Sequence, residues 1–138
     1  MVIARVVAAA GLACDASVHV DLAAGFDGNT AVTSQGALFR VEAVVAVLAA
    51  LLVLFIRWRA AAIVALLVAG SALGAVLLYG YVDIGALGPL PDMYEPTWYP
   101  EKILSAVAEG VATLAACVLL LRPARARDRT ESASTAGG

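Results

Sequence analysis

The sequence predicts an all-α polytopic membrane protein, four transmembrane helices packed as an antiparallel bundle. Three observations carry the prediction. Mean hydropathy is +0.91, and hydrophobic residues make up 62% of the chain against 14% charged. A soluble domain holds about 45–50% apolar residues and about 25% charge. The apolar residues also fall in long blocks, and arginines recur at alternate ends of those blocks.

A helix crosses a hydrocarbon core of about 30 Å with about 20 apolar residues. Residues 38–56 hold two charges, both among the first five; residues 60–82 hold none; residues 103–121 hold Glu109 alone. These are helices two, three and four. The first span is residues 2–24, apolar as far as Ala13 and then interrupted by Asp15, Ser17, His19 and Asp21. Two readings compete for it. A cleaved secretory leader needs a basic start, a short apolar core and a small-residue cleavage site. Residues 6–13 have that length, but Arg5 alone is a thin basic region. Gly11-Leu12-Ala13-Cys14 makes a poor lipoprotein signal, with Gly where an aliphatic residue is usual. Against cleavage, apolar residues continue at Ala16, Val18, Val20, Leu22, Ala23 and Ala24, as in an uncleaved helix with one polar face. The uncleaved helix is the preferred reading. It gives one transmembrane domain over residues 1–125 and a tail over 126–138, rich in Ser, Thr, Ala, Gly and charge, that reads as disordered.

Charge placement predicts orientation, because cytoplasmic loops concentrate Lys and Arg near the membrane. Arg5 stands at the start of the first span, Arg57 and Arg59 fill the turn between the second and third, and Arg122, Arg125, Arg127 and Arg129 follow the fourth. Only Arg40 and Lys102 fall on the other side. Both termini are therefore expected in the cytoplasm, with the chain in the cell membrane. Eight Arg against one Lys, with abundant Ala and Val, suggests a high-GC bacterial genome and hence a bacterial inner membrane. The partner these charges imply is anionic lipid, and the net charge of −2 gives no reason to invoke nucleic acid.

The connectors differ in character. The turn at Arg57-Trp58-Arg59 is tight, so helices two and three are expected as antiparallel neighbours, with Trp58 as an interfacial anchor. The first outer connector holds Asp27-Gly28-Asn29 and Thr33-Ser34-Gln35-Gly36, which are turn residues. The second, residues 83–102, holds four prolines and two glycines, which exclude a continuous helix. Tyr79, Tyr81, Tyr94, Trp98 and Tyr99 cluster there, with Asp92 and Glu95 between them. It reads either as a lid over the bundle or as an aromatic-anchored connector. In helix three Gly70 and Gly74 stand four apart on one face, the spacing that lets helix backbones approach in lipid. Packing within the bundle is the plainer explanation, and homo-oligomerisation or docking of another membrane protein is the other. Cys14 and Cys117 lie at different depths, beyond the reach of about 7 Å that a disulfide needs between Cα atoms, so two free thiols are expected.

The ionisable residues inside the spans carry the functional signal. A charge at mid-bilayer costs about 2.5–3.5 kcal/mol on insertion scales, so such groups face a partner or a cavity. Asp15 and His19 are one helical turn apart on one face, with Asp21 on the adjoining face. Helix two offers Glu42 near its outer end, close to Arg40. Helix four offers a stripe of Lys102, Ser105, Glu109 and Thr113. Counted from the outer ends, His19, Glu42 and Glu109 lie at similar depth on three helices. One expectation is an outward-facing site for a metal, a proton or a small ligand such as a quinone, built on Asp15, His19, Glu42 and Glu109. The other is a structural hydrogen-bond network, with His19 paired to Glu109 or Asp15 and Glu42 to Arg40 or Lys102. A single His makes a weak zinc or copper site, and haem with two axial His ligands is excluded. No cofactor is called for. The sequence holds no GxSxG, HExxH or phosphate loop, which favours a non-enzymatic accessory or interaction subunit.

His19, followed by Gly36-Ala37-Leu38-Phe39 opening the second apolar helix, resembles small uncharacterised four-helix membrane proteins common in actinobacteria. The overall plan is similar to DoxX-type four-helix membrane proteins in architecture alone. Neither resemblance implies an assigned activity.

Overall fold

Where the chain can and cannot continue a helix sets four long elements. The computed structural model describes residues 1–122, and Ala136 beyond them; the expected disordered tail over 126–138 falls outside that stretch. Helix α1 spans Val2–Ala23 and runs into a 3-10 turn, Ala24–Phe26. Helix α2 spans Gln35–Phe55, α3 spans Arg59–Tyr81 and α4 spans Pro100–Leu121. Each is long and apolar enough to cross a membrane, and among the described residues there is no strand beyond two isolated bridges.

Two helices begin three residues before the apolar block that predicts them, for local reasons. Ser34 caps α2, its hydroxyl accepting the Ala37 N–H at 3.0 Å, which satisfies one of the donors a helix start leaves open. Pro100 opens α4, where its missing N–H costs nothing, and Glu101 in the first turn suits the positive end of the helix dipole.

The helices form a ring in which α1 packs on α2 and α4, α3 packs on α4, and α2 and α3 make the loosest of the four adjacent seams; α1 and α3 face each other diagonally. The turn at Arg57 does make α2 and α3 antiparallel neighbours, but it does not draw them together along their length. The core is built almost wholly from alanine: Ala8, Ala46, Ala65, Ala112 and Ala116 are fully enclosed, with Leu12 and Val53 among them. Large side chains point outward instead, as at Ile3, Leu67, Leu114 and Leu121. Small residues inside and large ones outside is the arrangement lipid favours, since the bilayer solvates Leu as well as a core does and only close backbone approach gains dispersion energy.

Gly11 makes the tightest such approach. A Cβ there would stand 2.8 Å from the Ala108 carbonyl oxygen and 3.0 Å from the Ala112 Cβ. The expectation that Gly70 and Gly74 pack within the bundle is wrong. A Cβ at either position meets nothing within 4 Å; α3 presents its alanines inward and this glycine face outward.

At the end holding Arg5, Arg57, Arg59 and Arg122, arginines close exposed carbonyls of neighbouring helices. Arg5 donates to Val53 and Ile56 at 3.0 and 2.8 Å, and Arg59 donates to Leu120 at 3.1 Å, so these residues do structural work beyond meeting lipid headgroups. At the opposite end the two connectors are tied to each other. The Thr33 N–H donates to the Pro89 carbonyl at 3.1 Å, and the Asn29 amide donates to the Asp92 carbonyl at 2.7 Å and to Gln35 at 2.6 Å. Gly88, with φ of +56°, makes the turn between Leu87 and Leu90 that a side chain would disfavour.

Candidate functional site

Below the tied connectors the bundle is hollow. A pocket of about 340 Å³ lies in the connector half, its walls supplied by all four helices and by Met93 and Glu95. Its cause is the loose seam between α2 and α3. Val41 and Ala75 belong both to the pocket wall and to the outer surface, so the cavity opens sideways between those helices. The lining is mostly apolar, with Phe26, Leu38, Phe39 and Val76 among it, and its polar groups are His19, Gln35, Glu42, Tyr79, Glu95, Tyr99, Lys102, Ser105 and Glu109.

Helix periodicity delivers the central group. Asp15 and His19 share a face of α1, and Ser105 and Glu109 share a face of α4. The Gly11 contact, one turn from Asp15, lets the two helix backbones approach closely enough for short side chains to meet across the seam. Ser105 Oγ sits between the two acids, 2.8 Å from Asp15 Oδ1 and 2.9 Å from Glu109 Oε1. His19 Nδ1 lies 3.0 Å from both the Asp15 carboxylate and the Asp15 main-chain oxygen. One ligating atom each from Asp15, His19 and Glu109 falls within a 4.8 Å span. The acids are deeply enclosed, Asp15 at 1% and Glu109 at 2% exposure. Even so, Asp15 Oδ2, Glu109 Oε2 and Glu42 Oε1 are buried and reached by no donor among the described residues. A buried acceptor left without a donor costs on the order of 1–3 kcal/mol, more when charged.

The His19–Asp15 pairing is thus present, but the remainder of the expected network is not. Glu42 pairs with neither Arg40 nor Lys102. Arg40 instead reaches back to Asp27 with two bonds of 2.6 and 2.8 Å, and that guanidinium holds the Asp27 carboxyl below its usual range. Lys102, although buried, gives its protons to the main-chain oxygens of Glu95 and Thr97 and lies 4.7 Å from the Trp98 ring centre. Its role is to tether the connector before α4 onto the helix. Glu42 lines the same pocket as His19 and Glu109 but stands outside the compact three-residue group.

Two supporting residues expected from the sequence lie elsewhere. Asp21 is exposed because it is two residues beyond His19, a little over half a turn around the helix. Thr113 donates to the Glu109 main-chain oxygen at 2.7 Å, a bond within its own helix. In the long connector Glu95 lines the pocket, whereas Asp92, Tyr94 and Trp98 do not. Asp92 and Trp98 hold the connector in place, Asp92 through Asn29 and Trp98 through Lys102 and Tyr81, 5.9 Å between ring centres.

Sequence reasoning missed Phe39, Gln35, Met93 and Tyr99 as pocket residues. Phe39 packs edge-on against His19, ring centres 5.1 Å apart at 89°. Its signal was available, for Phe39 is three residues before Glu42 and therefore on the same face. Tyr99 had only its interfacial position to mark it; burial, then the neighbouring carboxylates of Glu95 and Glu101, push its phenol up from the ordinary value. Cys14 and Cys117 are free thiols, both partly buried. Compared with protein-family models, with curated proteins and with solved structures, the chain matches none.

Proposed function

We propose that this chain is a binding protein of the cell membrane. Both termini face the cytoplasm, and the pocket takes up a small amphiphilic ligand from the outer leaflet through the α2–α3 seam. The observation that carries the reading is a mostly apolar cavity holding two buried carboxylate oxygens that lack donors. Glu42 Oε1 and Glu109 Oε2 are buried acceptors with nothing to accept from, so the ligand they suit brings hydrogen-bond donors on an apolar body. A quinol has that chemistry, with hydroxyl donors on a lipophilic ring. The lateral mouth between Val41 and Ala75 favours a ligand already dissolved in lipid. Orientation follows from the arginine-rich end and the cytoplasmic preference of basic residues.

The test is equilibrium binding of a short-chain benzoquinol, and of its quinone, to the purified protein in detergent. The reading predicts that quinol binds more tightly than quinone, which has acceptors only, and that Glu42→Gln and Val41→Trp each weaken it. Equal affinity for the two forms, or variants that bind like the wild type, would overturn it.

A second reading, an interaction subunit, draws support from the outward glycine face of α3. Gly70 and Gly74 leave open space where side chains would stand, which suits close approach of a second copy of this chain in lipid. Crosslinking in native membranes through cysteines introduced beside Gly74 tests it; chains that remain monomeric at all densities would remove it.

A further inference from the structure

Where His19, Ser105 and Glu109 of the pocket wall meet Asp15 behind it, two acids share one imidazole as their source of positive charge, which an organic ligand alone does not explain. Asp15 and Glu109 face each other across Ser105, and the Ser105 hydroxyl has a single proton. It donates to Asp15 Oδ1 at 2.8 Å or to Glu109 Oε1 at 2.9 Å, never to both at once. His19 supplies one contact, to Asp15. The basic groups that might have neutralised the pair are committed elsewhere, Arg40 to Asp27 and Lys102 to two carbonyls. Two carboxylates thus lie almost wholly buried, each with its second oxygen, Asp15 Oδ2 and Glu109 Oε2, unpartnered.

We infer that Asp15, His19 and Glu109 form a binding site for a first-row divalent transition metal ion. A divalent cation with two carboxylates and a neutral imidazole is a charge-neutral group, the form that burial in apolar surroundings tolerates. The geometry agrees. Ligand atoms bonded to one ion at about 2.0–2.2 Å stand at most about 4.4 Å apart, so a set already within 4.8 Å needs only small side-chain adjustments to close on it. The donor set of one nitrogen and two oxygens selects the class: soft copper(I) prefers sulfur, and magnesium and calcium prefer all-oxygen shells, which leaves the divalent ions from manganese to zinc. Ser105 then positions a carboxylate from outside the shell. His19 and Glu109 also line the pocket, so with three protein ligands a coordination position is left facing the cavity.

The test uses the full chain, purified without a polyhistidine tag in mild detergent, stripped with chelator and titrated separately with zinc and cobalt. No organic ligand is added, so the outcome is independent of the quinol experiment. The expected result is a single ion per chain, with a visible cobalt spectrum of oxygen and nitrogen ligation. His19→Ala and Glu109→Gln should abolish stoichiometric uptake, Ser105→Ala should weaken it by about ten- to a hundredfold, and Thr113→Ala should leave it unchanged. Folded wild-type protein, judged by circular dichroism, that takes up neither ion would overturn the site, and would leave a shared proton as the neutralising charge. Uptake that survives both Asp15→Asn and Glu109→Gln would overturn it too, because the ions would then sit on surface carboxylates. The wild-type titration decides the matter even where a variant does not fold.

Discussion

The two halves of these four helices solve opposite problems. Toward the arginine end alanine meets alanine and Arg5 closes the end of α2, and at mid-bundle Gly11 admits the Ala108 carbonyl. Toward the connector end the α2–α3 seam parts, and the space holds acids, an imidazole and aromatic rings. The difference shows what each half is for. Small residues gain stability by close approach, whereas buried carboxylates with unpartnered oxygens cost stability and are retained where they serve something else. The closed half holds the bundle together and the open half is free to carry a site.

That contrast can be broken in four ways, beginning with the largest expected effect. Gly11→Leu should separate α1 from α4, lowering stability by about 1–3 kcal/mol or more, the usual cost of overpacking. Gly74→Leu, on the open face of α3, should change it by no more than about 0.5 kcal/mol. Thermal unfolding in detergent compares the two directly, and equal losses would mean that the closed half does not depend on the Gly11 contact. Next, Lys102→Met should cost about 1.5–3 kcal/mol, the range for hydrogen bonds to a charged donor, and should raise proteolysis of the connector before α4 while leaving α1–α2 packing intact. Third, Glu109→Gln should abolish stoichiometric metal uptake with no loss of stability. The amide removes a buried charge and brings a donor toward Asp15, so a clear drop in melting temperature would assign Glu109 to structure instead.

The smallest effect belongs to the surface. Asp27 titrates below its ordinary value because Arg40 holds it, so its bond stabilises the first connector above the ordinary carboxylate pKa and is lost as pH falls through the lower folded value. Asp27→Asn should abolish that acid-side dependence of hydrogen exchange in residues 27–34 and leave the helices unaffected.

How much of this was legible in the sequence varies by element. Helices two to four follow from block length and charge, because a membrane span needs little more than about 20 apolar residues. Helix one was harder, since Asp15 and His19 break its apolar run, yet it is the helix that packs most fully, on α2 and α4. Similar depth in three helices pointed to Asp15, His19, Glu42 and Glu109, and the fold brings one ligating atom each of Asp15, His19 and Glu109 within 4.8 Å of one another. Their pairings were not legible. Arg40 stands two residues from Glu42 and was expected beside it, but residues two apart on a helix diverge, and the turn after α1 carries Asp27 to Arg40 instead. Gly70 and Gly74 misled because spacing identifies a small face without saying which way the helix is rotated.

The sequence by itself determined the number of spans, their lengths, the accumulation of arginine at one end and the residues that no apolar helix would carry without reason. These are properties of single helices, written in composition and period. The tertiary structure decided which faces turn inward, that α2 and α3 part to open the pocket, and that Ser105 stands between two acids with one proton to give. Those depend on the rotation and spacing of helices relative to one another. Dispersion at contacts such as Gly11 with Ala108 sets that spacing, and such contacts are fixed only when all four helices pack together.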